Sequence, residues 1–90
     1  MKIQESAENY LESILALKEE KGAVRSIDIV HHLEFSKPSV SRAMSLLREN
    51  GYITMDKEGY IELTEAGHEI AARIYERHQL LTQFFTFLGV

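Results

Sequence analysis

The fold is decided by residues 36–51, which read SKPSVSRAMSLLRENG. Ser36 is a favoured helix N-cap, because its hydroxyl can accept a backbone N–H of the first helical turn. Pro38 falls within that first turn, where its missing N–H is harmless. Gly51 is well suited to end the helix. The stretch therefore predicts a helix over residues 37–50.

The predicted helix has two unlike sides. At about 3.6 residues per turn, its apolar side chains form a stripe that can be buried, while the other side remains in solvent. The exposed face is small, polar and basic. The stripe consists of Val40, Ala43, Met44 and Leu47, and the exposed face consists of Ser39, Ser41, Arg42, Ser45, Arg48 and Glu49.

Two further helices are predicted upstream. Apolar residues within 6–21 recur with the i, i+3, i+4, i+7 spacing of an amphipathic helix, and Gly22 ends it. Ser26 can cap a second, short helix. Only about three residues, 34–36, then separate that helix from the quoted one. Two helices joined by so short a turn are typical of a helix-turn-helix.

Downstream of Gly51 the apolar period changes to two. Alternating apolar residues on both sides of residues 56–59 predict a β-hairpin, and Thr64 can cap a long fourth helix. The inward-facing hairpin residues are Ile53, Met55, Ile61 and Leu63.

The order of these elements predicts a mainly α fold with a small β-hairpin. It is that of a winged helix-turn-helix DNA-binding domain, over residues 1–65, followed by a long C-terminal helix. The end of that helix is more apolar than a surface helix needs, which favours a partner or a continuation. Residues 66–90 are therefore predicted to be a linker and dimerisation helix of a homodimer. The apolar residues concerned are Leu80, Leu81, Phe84, Phe85, Phe87 and Leu88.

The composition indicates one small soluble domain. The chain has 90 residues, 44% of them hydrophobic and 27% charged, too few for a multidomain enzyme. No long apolar run or signal-peptide pattern is present, so we expect a cytoplasmic protein and no membrane partner. The absence of cysteine excludes thiolate zinc sites and cysteine nucleophiles. No phosphate-binding glycine loop or other catalytic motif is present, so we expect neither an enzyme nor a small-molecule substrate.

The central segment is the part of the chain that suits DNA. The net charge of the chain is −4, but residues 25–57 carry five basic and four acidic side chains, which gives +1. Arg42 can read a guanine edge, and the serines can hydrogen-bond phosphates or bases. Arg48 can neutralise a phosphate, and so can Lys57, which lies at the tip of the predicted hairpin, the wing of this fold. The residues predicted to contact DNA are Ser36, Lys37, Pro38, Ser39, Ser41, Arg42, Arg48 and Lys57.

Two other interpretations of this segment stay open. The serines can be helix-capping residues and the arginines part of a solvated helix face. A winged helix can also dock a protein instead of DNA. A dependence of DNA affinity on salt would distinguish DNA binding from protein docking.

Four stretches resemble the diphtheria toxin repressor family of iron- and manganese-dependent transcriptional regulators. They are ENYLESI at 8–14, SKPSVSR at 36–42, LTEAG at 63–67 and RHQLL at 77–81, the last followed by Phe84. The resemblance spans nearly the whole chain. It implies a homodimeric repressor that needs a divalent metal, Mn²⁺ or Fe²⁺, to bind a palindromic operator. It also implies that a helical dimerisation domain begins beyond Val90, so that the chain is a partial form or a minimal relative.

The resemblance further implies metal ligands at Asn9, Glu12 and His78. Glu12 and His78 match the manganese-sensing branch, whereas Asn9 stands where that branch has Asp, and Thr82 stands where it has Glu. Asparagine is a neutral and poorer ligand. From the residues alone, Asn9 and Glu12 are a turn apart on a polar helix face, which is more typical of solvated surface. A winged-helix regulator that senses no metal is therefore the alternative.

Overall fold

The computed structural model describes the backbone of residues 5–87 and the side chains of residues 7–77. Within this range the chain forms four helices and one two-stranded antiparallel sheet, which confirms the predicted winged helix-turn-helix architecture. The elements are α1 (Glu5–Lys21), α2 (Ser26–Leu33), α3 (Lys37–Glu49), β1 (Ile53–Met55), β2 (Ile61–Leu63) and α4 (Glu65–Phe87).

Helix α1 lies at the centre of the packing. Its Leu11 and Ile14 are completely buried. It packs most extensively against α4 and also contacts α2, α3 and β2. The predicted stripe of α3 faces the same core, with Ala43 only half-buried. The buried apolar residues are Ala7, Tyr10, Leu11, Ile14, Leu15, Leu17, Val24, Ile29, Val40, Met44, Leu47, Ile53, Ile61, Ala71 and Ile74.

The start of α2 differs from the prediction. Ser26 is the first helical residue and not the cap, because Arg25 occupies the N-cap position. The Asp28 carboxylate accepts the backbone N–H of Arg25 at 2.9 Å, while the Arg25 carbonyl accepts the N–H of Asp28 at 3.0 Å. Asp28 also forms an ion pair with Lys21 at 2.6 Å. The hydrogen bond from Lys21, followed by that from Arg25, holds the pKa of Asp28 below its usual value.

The turn between α2 and α3 is short and anchored on α1. Glu34 adopts a left-handed conformation with φ +59°, which ends α2 at once. The Phe35 ring then packs edge-on against Tyr10, with the ring centres 5.8 Å apart. Ser36 is the N-cap of α3, as predicted, and its hydroxyl accepts the N–H of Ser39 at 3.3 Å. The orientation of α3 is thus set from its first residue.

The predicted hairpin is present and is joined to the helical part of the domain. Ile53 pairs with Leu63 and Met55 pairs with Ile61. A backbone hydrogen bond of 2.8 Å runs from the N–H of Ile61 to the carbonyl of Val24. An isolated bridge between Arg25 and Tyr60, the residues adjoining this bonded pair in sequence, and an ion pair between Lys18 and Glu62 add to the attachment. The wing therefore has a fixed position relative to α2 and α3.

Helix α4 begins where two loops meet. The Thr64 hydroxyl accepts the N–H of Gly67 at 3.2 Å and donates to the Gly51 carbonyl at 2.6 Å, so Thr64 is the predicted cap. The N–H of Thr64 donates to the Tyr52 carbonyl at 3.0 Å. Further along, Ala71 and Ile74 are buried. The first half of α4 therefore packs within the same core as the winged helix.

Two expectations concern the rest of α4. The predicted assignment of residues 66–90 to a dimerisation helix stays a prediction, because the side chains of the apolar tail lie outside the described residues. Within the described part of the chain, no helix combines the length and apolarity needed to cross a membrane.

The packing of Gly67 gives a stability prediction. A Cβ at this position would lie 2.0 Å from the carbonyl oxygen of Tyr52. Gly67→Ala should therefore lower the free energy of unfolding by about 1–3 kcal/mol through overpacking, although helix propensity alone predicts a gain of about 1 kcal/mol. Urea denaturation measures the difference. Ala66→Gly is the control, since this exposed neighbour should lose only about 1 kcal/mol from propensity. A stabilised Gly67→Ala protein would contradict the contact.

Candidate nucleic-acid interface

The residues predicted to contact DNA are all solvent-exposed in the structure. Seven of them lie on α3 or at its N-cap, and Lys57 lies in the loop between β1 and β2. The structure thus brings the α3 set together on one surface beside the wing. Their contact with DNA stays a prediction.

The N-terminal end of α3 has an ordered set of hydroxyl groups. The Ser36 hydroxyl caps the helix and donates to the Ser39 hydroxyl oxygen at 2.9 Å. Each of these hydroxyls can also act as a donor or an acceptor towards an outside group. Pro38 has no N–H and the Ser39 N–H is used by the cap, so the Lys37 N–H is the first-turn backbone donor that remains at this end. This end of α3 can therefore bind an anionic oxygen or a base edge.

The basic side chains of this surface have no carboxylate partner within the described part of the chain. The ion pairs there are Lys18–Glu62 and Lys21–Asp28, and neither uses a cation of α3 or of the wing tip. Arg42 and Arg48 are exposed on α3. An incoming phosphate would therefore find them uncompensated by protein charge.

The wing tip presents Lys57 and holds its acidic neighbour in place. The Asp56 carboxylate accepts the N–H groups of Glu58 at 3.0 Å and Tyr60 at 2.8 Å, which closes the loop. Gly59 has φ +89°, a conformation that glycine adopts at little cost. Lys57 is left exposed at the tip, where its ammonium group is accessible to an outside anion.

The sequence prediction missed Arg25. Its guanidinium lies over the Tyr60 ring, 5.3 Å from the ring centre, and close to Gly59. The stacking holds an exposed cation at the base of the wing. No local periodicity signals this arrangement, because it depends on an isolated bridge between residues 25 and 60. The basic residue just before α2 was its only sequence signal.

The structure tests the metal-ligand prediction only in part. Asn9 is exposed and Glu12 is half-buried on α1, and α4, which carries His78, packs against that helix. The side chain of His78 lies outside the described residues. Among residues 7–77, no three His, Cys, Asp or Glu side chains come close enough to hold a metal ion. The oxygens of Asn9 and Glu12 suit a hard divalent cation, but they complete no site by themselves.

Comparison with known sequences gives a consistent family match. A family model described as "Iron dependent repressor, N-terminal DNA binding domain" matches residues 2–61. The chain is similar to the HTH-type transcriptional regulators MntR of Geobacillus kaustophilus (strain HTA426), Shouchella clausii (strain KSM-K16) and Bacillus subtilis (strain 168). Each is 38% identical over 85 residues, which are 94% of this chain. The chain spans 60%, 59% and 60% of these three relatives, respectively.

Solved structures share the fold. Two crystal structures of the adhesin competence repressor (AdcR) from Streptococcus pyogenes superpose with TM-scores of 0.71 and 0.72 at 22% identity. They cover 97% of this chain and 66% and 64% of their own. The transcriptional regulator Tm0710 from Thermotoga maritima gives a TM-score of 0.61 at 21% identity, covering 90% of this chain and 61% of its own. At these identities the likeness supports the winged-helix fold alone.

Whether Ser36 contacts DNA in addition to capping α3 can be tested with two variants. Ser36→Ala should lower the free energy of unfolding by about 1 kcal/mol, whereas Ser36→Gly should cost only a few tenths of that, ~0.3 kcal/mol. If the hydroxyl also contacts DNA, both variants should weaken DNA binding to the same extent. Urea denaturation and DNA titration measure the two effects. Wild-type DNA affinity in Ser36→Gly would leave Ser36 with a capping role only.

Proposed function

The chain belongs to the iron-dependent repressor family, and from this premise we propose that it is a transcriptional repressor whose DNA affinity a divalent metal controls. Helix α3 would enter the major groove of a palindromic operator, and the wing would contact the flanking backbone. The role is regulatory and not catalytic. We place such a regulator in the cytoplasm.

One observation carries the DNA-binding part of the proposal. The exposed face of α3 combines hydroxyl donors with arginines that have no carboxylate partner among the described residues. The core stripe of the same helix is buried, so this face is available without loss of packing. A solvated helix face that only favours solubility typically mixes both charge signs. Here the single acidic residue of α3, Glu49, comes at its C-terminal end.

The palindromic operator follows from two-fold symmetry. A homodimer places its two recognition helices about one turn of DNA apart, so the two half-sites are inverted copies. The apolar residues in the last part of the sequence, predicted to form a dimerisation helix, support such an assembly. We therefore propose double-stranded DNA and a second copy of this chain as the partners.

The metal part of the proposal is supported by the family and by the neighbourhood of α1 and α4. Glu12 would hold a divalent cation such as Mn²⁺ or Fe²⁺ together with His78, and Asn9 would add a neutral oxygen. The bound ion would supply positive charge between the two helices. The neutral Asn9 favours a second candidate, a repressor of the same fold that responds to no metal. DNA selected from a random pool, then titrated with Mn²⁺, Fe²⁺ or chelator, decides between the two.

The roles of Arg42 and Lys57 should differ. Arg42→Ala should cost about 1–3 kcal/mol of operator binding and relax the base preference at one position of each half-site. Lys57→Ala should weaken binding to all sequences alike and reduce the slope of log affinity against log salt by about one unit. Titration of the selected operator and of single-base variants at several salt concentrations measures both. Equal loss of base preference in the two variants would contradict this division.

The metal ligands can be tested by binding and by regulation. Glu12→Gln and His78→Ala should each reduce Mn²⁺ affinity by more than the ~10-fold that loss of an outer-shell partner costs. Electron paramagnetic resonance of free Mn²⁺ measures that affinity. Both variants should also lose metal-stimulated operator binding while keeping non-specific DNA binding. Glu19→Gln, at an exposed position on the same helix, is the charge-matched control. A wild-type metal response in both variants would show that Glu12 and His78 are not the metal ligands.

A further inference from the structure

A cleft opens between α3, the start of α2 and strand β1. Its volume is about 230 Å³. Two of the eight predicted DNA-contacting residues, Ser41 and Arg48, line the cleft. Its other lining residues are not among those eight, so the cleft extends the surface described above. The lining residues are Ser26, Ser41, Met44, Ser45, Arg48 and Met55.

The chemistry of the cleft suits an anionic oxygen. Ser41, Ser45 and Arg48 follow one another at i, i+4 and i+7, so they form one stripe along α3. Ser26, at the first position of α2, adds a third hydroxyl from the opposite side. Hydroxyl donors and a guanidinium are the groups that bind phosphate in proteins.

The base of the cleft and its charge also suit an anionic ligand. Met44 is buried and Met55 is half-buried, so the polar groups surround an apolar base. Among residues 7–77, no carboxylate lines the cleft. Within the described residues, Arg48 has no acidic partner. A ligand anion would therefore supply the missing counter-charge.

The position of the cleft favours a phosphate of DNA over a free anion. Ser41 belongs both to the exposed reading face of α3 and to the cleft wall, so the two surfaces are continuous. The strand β1 that closes the other side leads into the wing tip at Lys57. The cleft therefore lies between the exposed face of α3 and the strand that leads to the wing, where a DNA strand in contact with both would pass.

We propose that the cleft seats one phosphate of the DNA backbone, with Arg48 supplying the charge and Ser26, Ser41 and Ser45 supplying hydroxyl donors. This inference rests on the proposed DNA-binding function and adds a defined contact to it. One seated phosphate fixes the register of α3 along the groove, because phosphate contacts position a protein on the duplex.

The first test compares two arginine variants of the full chain on the selected operator. Arg48→Gln should reduce the slope of log affinity against log salt by about one unit, which equals a difference of about 4-fold between 50 and 200 mM salt. Arg73→Gln is the control, because it removes the same charge from an exposed position on α4. Ser45→Asp should weaken binding further, since its carboxylate would repel the phosphate. Equal slopes for Arg48→Gln and Arg73→Gln would overturn the proposal.

The second test locates the phosphate. In a series of operator duplexes, one phosphate at a time is replaced by a neutral methylphosphonate. At one position per half-site, this replacement should weaken binding of the wild-type chain but not of Arg48→Gln. Additive losses at every position would overturn the seat. The proposal would also be overturned if inorganic phosphate shifted the amide NMR signals of the cleft while Arg48→Gln left the salt dependence of DNA binding unchanged. That result would indicate a site for small anions. If the wild-type chain binds no duplex, the proposed function itself fails.

Discussion

The backbone hydrogen bond from Ile61 to the carbonyl of Val24 is the interaction on which the surface beside α3 depends. A two-stranded hairpin is marginally stable by itself, and here each strand has only three residues. The bond attaches the hairpin to the segment before α2, and the Arg25–Tyr60 bridge and the Lys18–Glu62 pair reinforce it. Without this attachment, neither the wing tip nor the cleft would have a fixed position relative to α3.

The elements that the sequence predicts well are those with local signals. The cap at Ser36, the glycine at 51 and the change of apolar period after it all act within a few residues, and the structure confirms the elements they predict. The N-cap of α2 was predicted at Ser26, one residue after its actual position at Arg25. There the decisive group is Asp28, whose carboxylate accepts the Arg25 N–H from inside the helix.

The interface was predictable only as far as one helix determines it. Periodicity separates the buried and exposed faces of α3, so the polar residues were identified correctly as exposed. The cleft was not predictable, because Ser26 and Met55 join it from elements that are distant in sequence. The stacking of Arg25 on Tyr60 was missed for the same reason. The proposed ligand set of α1 and α4 likewise depends on how the two helices pack, which local patterns do not encode.

The two faces of α3 divide its sequence into positions with separate duties. Val40, Met44 and Leu47 hold the helix in the core, whereas substitutions at exposed positions such as Arg42 and Ser45 change stability by only about 0.5 kcal/mol. Mutations can therefore accumulate on the outer face without unfolding the domain. What the outer face binds can therefore change residue by residue while the domain stays folded.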